Sequence, residues 1–399
     1  MMVGFGIVIP VLPFLAHDLG ASPVDMGLLV SVWALAQFLF APLWGGFSDR
    51  WGRKPALVIG LMGLAVTQFM ITLAGSVAGL VTARALGGLV SSATMPAASA
   101  YVADVTKVED RGHAMALMGA AFASGFALGP AIGGVLAPFG VLVPFYAAGI
   151  MGLVAAVLTW AILPETRPRG AGPAAIGASA GRTRAGPFAV FSALKGPYGV
   201  FLGLAFANTF AGSSMFSMLS YFVMDRFAGS AADAGVAFTV QGVTSLIMQA
   251  LVVGRVIRAV GESRTLQAGL LICVAGYLMV ARSFAFPVLL GAVMLAAAGM
   301  AFAKPSIMSA VSKRTQMSQG VSMGMLSSSE ALGRMVGPLW AGYLFSLSAG
   351  GPYYSAAAMM VVGLLALGMM MAQENRHGLR QQQEVDAASS QGLQPPANG

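Results

Sequence analysis

The sequence has few charged residues, one cysteine and three histidines. Lys, Arg, Asp and Glu make up 9% of the 399 residues, whereas a soluble globular protein carries about 25%. Charged side chains this scarce could not cover a soluble surface, which excludes a cytosolic enzyme, a secreted domain and a disordered chain. The single Cys273 excludes an internal disulfide and a Cys-based metal site. His17, His113 and His377 fall in or beside predicted loops, so they cannot form a histidine-cluster metal site.

Apolar residues, by contrast, are abundant. Hydrophobic residues make up 57% of the chain and 52 residues are glycine, which is more frequent in membrane helices than in soluble ones. Twelve segments come close to the roughly 20 apolar residues that a membrane helix needs. These spans 1 to 12 lie at about 1–16, 24–46, 56–75, 77–103, 113–137, 141–163, 197–224, 234–255, 265–282, 286–312, 320–346 and 350–373. The short span 1 has no signal-peptide features, and we expect it to lack an N-terminal turn.

The basic residues are distributed unevenly between the loops. Seventeen of the 22 lie after even-numbered spans or in the C-terminal tail, whereas only Arg226 and Arg282 lie in the opposite loops. The positive-inside rule therefore predicts that both termini are cytoplasmic. The net charge of +8 is explained by this topology, so nucleic acid is not an expected partner. The remaining three cations lie within spans and are Arg84, Lys304 and Arg334.

A central segment divides the chain into two halves. Residues 164–196 are rich in Gly, Ala, Pro and Arg and have no apolar period, which predicts a cytoplasmic linker. The expected six-helix bundles are 1–163 and 197–373. The polar residues 374–399 are expected to form a disordered cytoplasmic tail.

The two halves share a pattern of glycines. Gly45, Gly52, Leu57 and Gly60 are followed 209 residues later by Gly254, Gly261, Leu266 and Gly269. Gly125, Gly129, Pro130 and Gly134 are followed 208 residues later by Gly333, Gly337, Pro338 and Gly342. Repeated matches at nearly one offset indicate a duplication. Parallel six-helix repeats with a site between them near the midplane are typical of secondary transporters.

The loop after span 2 reads GGFSDRWGRKPAL and resembles the signature cytoplasmic loop of the major facilitator superfamily, G-x-x-x-D-R-x-G-R-K. The matching residues are Gly45, Asp49, Arg50, Gly52, Arg53 and Lys54. The resemblance implies a gate in which Asp49 meets the start of span 11 near Gly320, where a helix N-terminus favours negative charge. We also expect Arg53 to reach Asp104 at the inner end of span 4. Membrane anchoring by the cations alone is the alternative.

Span 5 contains GFALGPAIGG, in which Gly125, Gly129 and Gly133 share one helix face. That face can approach another backbone closely, and Pro130 bends the helix. We expect the face around Gly129 to contact the other half of the protein. The run through Gly134 resembles the antiporter motif of drug exporters in the superfamily, which implies exchange of drug for protons. Close packing without such a role is the alternative.

Two further stretches, GFGIVIPVLPFLAHDLG and ALAQFLFAPLWGG, resemble the multidrug and tetracycline exporters of this branch. Gln37 stands where those multidrug exporters also carry glutamine. Arg84 resembles their span 4 arginine, which is implicated in proton transfer or substrate contact; snorkelling to the outer interface is the alternative. Acids that those relatives often carry in span 7 and before the span 10 proline are missing here. Their proton route cannot be carried over.

Glu330 is the only acid that the sequence places clearly within the membrane, which makes it the best candidate for the proton-coupling group. Arg334, four residues on, could neutralise it. Lys304 could pair with Glu330 or contact an anionic group. Arg84 completes the set assigned to proton coupling. The residues predicted to line an adaptable, greasy substrate cavity are Trp33, Gln37, Phe210, Phe216, Gln249 and Lys304.

These observations predict an all-α membrane protein with twelve helices in two pseudo-symmetric six-helix bundles. The resemblance implies a bacterial inner-membrane exporter of amphiphilic drugs, driven by the proton gradient and working by alternating access. No cofactor or metal is expected, and the protein is expected to be a monomer. The alternative within transport is a proton symporter or facilitator for a small metabolite or organic anion, suggested by Lys304 and Arg84. A membrane-embedded enzyme or receptor is the other class, and only Glu330 and Lys304 are candidates for intramembrane hydrolysis.

Overall fold

The computed structural model describes residues 2–166, 197–314 and 319–390, and most of the predicted linker lies outside these ranges. In the first half, spans 1 to 6 are Met2–Val8 with Leu12–Asp18, Pro23–Trp51, Arg53–Thr72, Val77–Ser91 with Thr94–Val105, Arg111–Leu136 and Val143–Ile162. In the second half, spans 7 to 12 are Pro197–Phe227, Ala231–Ile247 with Gly254–Val260, Glu262–Ala281, Phe286–Arg314, Gln319–Leu347 and Gly351–Ser390. The described residues contain no strand, so the all-α prediction is confirmed.

Ten of the described helices are long and apolar enough to cross a membrane. Span 1 is shorter, and span 11 is not among the ten. Span 11 carries Glu330, Arg334 and a row of three serines at 327–329, which lower its hydropathy. A span that is polar within a membrane protein faces the protein interior or a water-filled cavity rather than lipid.

The local structure repeats between the halves as the glycine pattern predicts. Spans 2 and 8 each begin with a capping box, formed by Ser22 with Asp25 and by Ser230 with Asp233. The turns after these spans are made by Gly52 at φ 110° and by its repeat partner at φ 83°, a region that glycine enters without steric cost. The duplication therefore extends to backbone conformation.

Three spans are interrupted. Span 1 breaks around Pro10, and span 4, predicted as one helix, breaks at Ser92 and Ala93. Proline explains the first break because it lacks an N–H and clashes with the preceding turn. In span 8, a π-helical stretch over Met248–Val253 joins two α-helices. Such stretches frequently occur at functional sites.

The C-terminal tail differs from the prediction. Span 12 continues as one helix to Ser390, although disorder was expected from residue 374 onward. The added segment ENRHGLRQQQEVDAASS contains many good helix formers and no proline, which accounts for the extension. Residues 391–399 lie outside the described part of the chain.

The glycine face of span 5 packs within its own half. A Cβ added to Gly129 would lie 2.5 Å from the Cα of Gly6, and one added to Gly125 would lie 3.0 Å from the nitrogen of Val3. The face therefore contacts span 1, and the prediction that Gly129 meets the other half is wrong. Spacing shows which glycines share a face but does not show which neighbour that face meets.

The two halves meet along an outer seam, defined by span 5 against span 8 and span 2 against span 11. A Cβ at Gly134 would lie 3.0 Å from the Cα of Gly235. A Cβ at Gly342 would lie 3.0 Å from the Cα of Val24, on the other side of the molecule. Because these are contacts of backbone on backbone, the halves approach each other closely at these two positions.

Hydrogen bonds from span 7 to span 1 and the turn after it add to the outer seam. The Ser220 hydroxyl donates to the Pro10 carbonyl at 3.1 Å, and the Tyr221 hydroxyl donates to the Ala21 carbonyl at 3.1 Å. The Pro10 carbonyl can accept this hydrogen bond because the helix of span 1 is broken there. The outer side is therefore closed by both packing and hydrogen bonding.

The inner side, that of the loop after span 2, has glycines without close neighbours. No heavy atom of the described residues lies within 4 Å of a Cβ added at Gly45, Gly46, Gly119 or Gly324. These positions lie at or near the inner ends of spans 2, 5 and 11, in contrast to the closely packed glycines of the outer seam. At these positions the two halves are therefore packed less closely than along the outer seam.

Candidate functional site

An aromatic cluster joins the two halves just inside the outer seam. Phe5 stacks on Trp33 with ring centroids 4.7 Å apart and lies 5.6 Å from Phe126. Phe126 lies 6.2 Å from Phe216, which meets Phe238 edge-on at 5.2 Å. These separations suit favourable aromatic pairs. The members come from spans 1, 2, 5, 7 and 8, so the cluster lies where the halves move against each other.

The sequence identified Trp33 and Phe216 but missed Phe5, Phe126 and Phe238. Each missed residue lies in a helix that is apolar on every side, and periodicity then cannot show which side faces inward. Phe210, which was predicted to line the cavity, is instead buried beside the backbone of Gly333. Gln37 is half-buried and lines neither of the cavities beside the cluster.

The larger cavity, about 150 Å³, lies between spans 5, 7 and 8. Its lining includes Phe126, Pro130, Phe216, Phe238, Gln241 and Gln249. The Oε1 atom of Gln241 is buried and has no hydrogen-bond partner among the described residues. Gln249, a predicted cavity residue, lies in the π-helical stretch. Aromatic walls with a few amides suit an amphiphilic ligand.

A smaller cavity, about 30 Å³, lies beside Arg84. Trp33, Met26 and Phe216 line it together with the guanidinium group. Arg84 is only 9% exposed, and its Nε has no hydrogen-bond partner among the described residues. The burial contradicts snorkelling to the outer interface. A buried cation is costly unless a partner compensates for it, so Arg84 points to an anionic or polar partner.

A charged cluster of Lys304, Glu330 and Arg334 joins spans 10 and 11. Lys304 Nζ lies 3.4 Å and an Arg334 terminal nitrogen 3.7 Å from the same oxygen, Glu330 Oε2. The Glu330 side chain is 14% exposed, against 57% for Lys304 and 48% for Arg334. Both predicted pairings of Glu330 are confirmed. Their distances exceed the 2.7–2.9 Å of a strong charge-assisted hydrogen bond, so the pairs are loose.

The charged cluster faces the space between the halves. On span 11, Gly333 packs against span 7 and Gly342 against span 2. At 100° per residue, Glu330 and Arg334 fall in the arc between these two packed faces. The exposed Tyr343 lies on the opposite side of the helix, which is the side available to lipid. Glu330 and Arg334 therefore lie on the side of span 11 that faces the space between the halves.

Arg53 organises the inner loop. Its guanidinium lies 2.7 Å from Asp49 and 3.1 Å from Asp104 and donates to the Ser48 hydroxyl at 3.0 Å. The predicted contact with Asp104 is confirmed. The expected meeting of Asp49 with span 11 near Gly320 falls where side-chain contacts are not described. Its gating role stays a prediction.

Glu165, which the sequence analysis did not single out, holds the same loop from the end of span 6. Its carboxylate accepts hydrogen bonds from the backbone nitrogens of Arg53 at 2.9 Å and Lys54 at 3.1 Å. It thereby satisfies two free N–H groups at the start of span 3. The carboxylate also packs on Gly52, where a side chain would collide with it. Arg50 is exposed on the same loop.

Comparisons with known proteins agree with this architecture. The sequence model of the Major Facilitator Superfamily matches residues 1–225 and 200–394. Multidrug resistance protein 1 of Bacillus subtilis is 28% identical over 362 residues, with 91% of each chain covered. Quinolone resistance protein NorA of Staphylococcus aureus is 26% identical over 385 residues, with 96% of each covered. The crystal structure of the human organic anion transporter MFSD10 is 26% identical with a TM-score of 0.65, covering 92% of this chain and 96% of that one. This chain belongs to the major facilitator superfamily.

Proposed function

We propose that this multi-pass membrane protein is a proton-driven exporter of amphiphilic drugs. One observation carries the proposal: an aromatic cluster borders the cavities where the two halves meet, and a carboxylate held by two cations joins spans 10 and 11 nearby in the same bundle. An aromatic lining suits varied apolar ligands. A group that gains and loses a proton beside it can tie ligand movement to the proton gradient. The names of the bacterial relatives, which refer to drug resistance, support the same function.

The outer seam supplies the moving joint of the proposed cycle. Alternating access in this type of transporter is largely a rigid rocking of one bundle against the other. Opening the outer side requires Gly134 to separate from Gly235, and Gly342 from Val24. The Ser220 and Tyr221 hydrogen bonds must break in the same step. The inner ends of the halves would then approach each other, because a rigid bundle that tilts away on one side of the pivot tilts inward on the other.

Glu330 supplies the proposed coupling to protons. When span 12 is counted only as far as Gln373, where its membrane-crossing part ends, Glu330 is the only carboxylate of the described spans more than three residues from an end. A proton on Glu330 removes the negative charge that Lys304 and Arg334 share, so the charged cluster rearranges when the proton binds or leaves. We propose that the chain works as a monomer in the bacterial inner membrane with both termini cytoplasmic.

The direction of coupling can be tested in membrane vesicles. In inverted vesicles from cells that express the protein, acidifying the lumen is expected to drive uptake of a fluorescent amphiphile, and a protonophore should abolish it. Vesicles from cells with the empty vector are the control. Uptake in right-side-out vesicles with external acid, and none in inverted ones, would establish symport and contradict the proposal. A susceptibility panel in an exporter-deficient bacterium would identify the drugs.

Asp49→Asn is expected to lower export at least about five-fold while the protein level stays near normal. The half-exposed Asp49 contributes little to folding, and Arg53 keeps its contacts with Asp104 and Ser48. The measurement is drug efflux from cells at matched expression. Lys107→Gln, which removes an exposed charge from the loop after span 4 and leaves the loop after span 2 unchanged, is the control. Normal export by Asp49→Asn would reduce the loop to a topological role.

A further inference from the structure

We infer that Arg258, at the inner end of span 8, forms an ion pair with Glu109 and Asp110 at the start of span 5 when the inner ends of the two halves meet. Such a contact acts in the rocking motion alone, whichever ligand or ion the protein carries, and so goes beyond the proposed function. The internal repeat points to it. Arg258 occupies the place of Asp49, 209 residues earlier, so the two halves carry opposite charges at equivalent positions.

The inversion of charge includes a second position of the same loop. Arg53 of the first half corresponds to Glu262 of the second at the same offset of 209 residues. Arg53 binds Asp104 of span 4, whereas the Glu262 carboxylate accepts a hydrogen bond from the Ser309 hydroxyl of span 10 at 3.0 Å. Each side chain thus reaches from the start of its own helix to the helix that follows. The two loops are therefore equivalent in position and opposite in sign.

A π-helical stretch keeps Arg258 in this register. The repeat offset is 208 residues at the capping boxes that begin spans 2 and 8, and it is 209 at Gly45 and Gly254. Span 8 therefore has one additional residue before Gly254, and the π-helical stretch Met248–Val253 lies within that interval. A π-turn takes up one residue more than an α-turn, whereas in a regular helix the insertion would rotate every later side chain by about 100°. Arg258 therefore keeps the helix face that Asp49 has in span 2.

The outer seam shows which helix the loop after span 8 must meet. A Cβ at Gly235 of span 8 would lie 3.1 Å from the Pro130 carbonyl oxygen of span 5, and a Cβ at Gly27 of span 2 would collide with the Pro338 carbonyl of span 11. These contacts are equivalent, because both the glycines and the prolines are 208 residues apart. The loop after span 8 is therefore placed to meet the start of span 5, just as the loop after span 2 is predicted to meet the start of span 11.

The start of span 5 carries the charge that a cation needs. A helix N-terminus favours negative charge and disfavours positive charge, so Arg258 would be repelled there unless acids lay beside it. Glu109 and Asp110 immediately precede span 5 and are exposed, and the Asp110 side chain does not cap the helix. The segment TQMSQG at the start of span 11, which is predicted to meet Asp49, contains no acid. Each loop thus carries the charge opposite to that of the helix start it would meet.

Arg258 and the two acids lie at the same depth but are not paired in this structure. From the contact between Gly134 and Gly235, span 8 runs 23 residues inward to Arg258. From the same contact, 24 residues lead inward along span 5 to Asp110. Among the described residues, neither Arg258 nor either acid makes an ion pair, and only an Arg258 nitrogen lies within 4 Å of a Cβ added at Gly254. The pair therefore forms only when the inner ends approach.

Spin labels beside the proposed partners can measure this closure directly. The exposed Ala259 and His113 would carry the labels, and the native Cys273 is buried. The purified full-length protein in lipid nanodiscs at low salt is expected to show a short and a long distance between the labels. Arg258→Gln should lower the ratio of the short to the long population at least about three-fold. Arg258→Glu, which turns attraction into repulsion, should lower it about ten-fold.

Matched variants separate this pair from a general effect of charge. Arg264→Gln removes an exposed cation near the start of span 9 and should leave the ratio unchanged. Glu109→Gln/Asp110→Asn should lower the ratio as much as Arg258→Gln, and combining all three substitutions should lower it no further, because the pair is already lost. Salt at about 1 M, which screens charges more than about 3 Å apart, should lower the ratio more in the unaltered protein than in Arg258→Gln.

Three results would overturn the inference. The first is an unaltered protein that shows no short distance at low salt, and the second is an equal loss of the short population in Arg264→Gln and Arg258→Gln. The third is an effect of Arg258→Gln that adds to that of the two acid substitutions, as independent groups do. Because the labels report distance without transport, a failure to export drug from cells would contradict the proposed function and leave this contact intact.

Discussion

Glu330→Gln is expected to abolish proton-driven export while the protein still binds drug and exchanges it down a gradient. The glutamine keeps the shape and hydrogen-bonding capacity of the side chain but cannot ionise. When span 12 is counted only as far as Gln373, no other carboxylate of the described spans lies more than three residues from an end, so no near neighbour can take over the proton. Uptake into inverted vesicles should lose its dependence on the pH gradient entirely.

The matched control for Glu330→Gln is a second variant that offsets the negative charge lost with Glu330. Glu330→Gln leaves Lys304 and Arg334 without their shared acid, which can lower the protein level for reasons unrelated to coupling. The double variant Glu330→Gln/Arg334→Gln restores part of the balance and should be equally uncoupled at a higher protein level. If Glu330→Gln keeps a steep dependence of uphill export on the proton gradient, Glu330 only neutralises its two partners. Coupling would then belong to an acid such as Asp18 or Asp104.

Gly134→Leu is expected to abolish transport by preventing closure of the outer seam. A Cβ at Gly134 would already lie 3.0 Å from the Cα of Gly235, and a leucine places three further carbons in this contact. The variant should still insert, because Gly134 meets the other half and not its own bundle. It should accumulate in an outward-open conformation.

Spin labels on the outer loops can measure this opening. Leu73 and Phe284 are 82% and 80% exposed and lie in different halves, and the native Cys273 is buried. The distance between labels at these two positions should lengthen in Gly134→Leu. Gly129→Leu is the matched control: it overpacks span 5 against span 1, which typically costs about 1–3 kcal/mol. It should lower thermal stability without opening the outer side. Normal transport by Gly134→Leu would show that the seam tolerates separation.

Elements of the fold that depend on residue type were predictable from the sequence. The length of the apolar segments predicted the membrane spans. The offset between Gly52 and Gly261 predicted the internal repeat. The pairing of Glu330 with Arg334 followed from their separation of four residues, which places both on one helix face. These features depend on distances along the chain, which the sequence states directly.

Features that depend on which neighbour a face meets were not predictable. The contact of Gly129 with Gly6 instead of the other half is one example, and the inward direction of Phe126 and Phe238 is another. In a helix surrounded by lipid on one side and apolar protein on the other, both sides carry the same residue types. Hydropathy then does not show which side of the helix faces the protein interior. Only the assembled bundle shows this. Glu165 was missed for a different reason, because a charge after a span is expected at any membrane boundary.

The outer seam separates the mechanics of the protein from its chemistry. The joint consists of main chain, glycine and the two hydroxyl groups of Ser220 and Tyr221, whereas the surfaces that meet a ligand consist of aromatic, amide and charged side chains. Substitutions in the cavity can therefore change what is carried without altering the parts that move. Because of this division, a few mutations in the cavity can change which substrates are transported. Resistance to a newly introduced compound would then require no mutation in the contacts between the two halves.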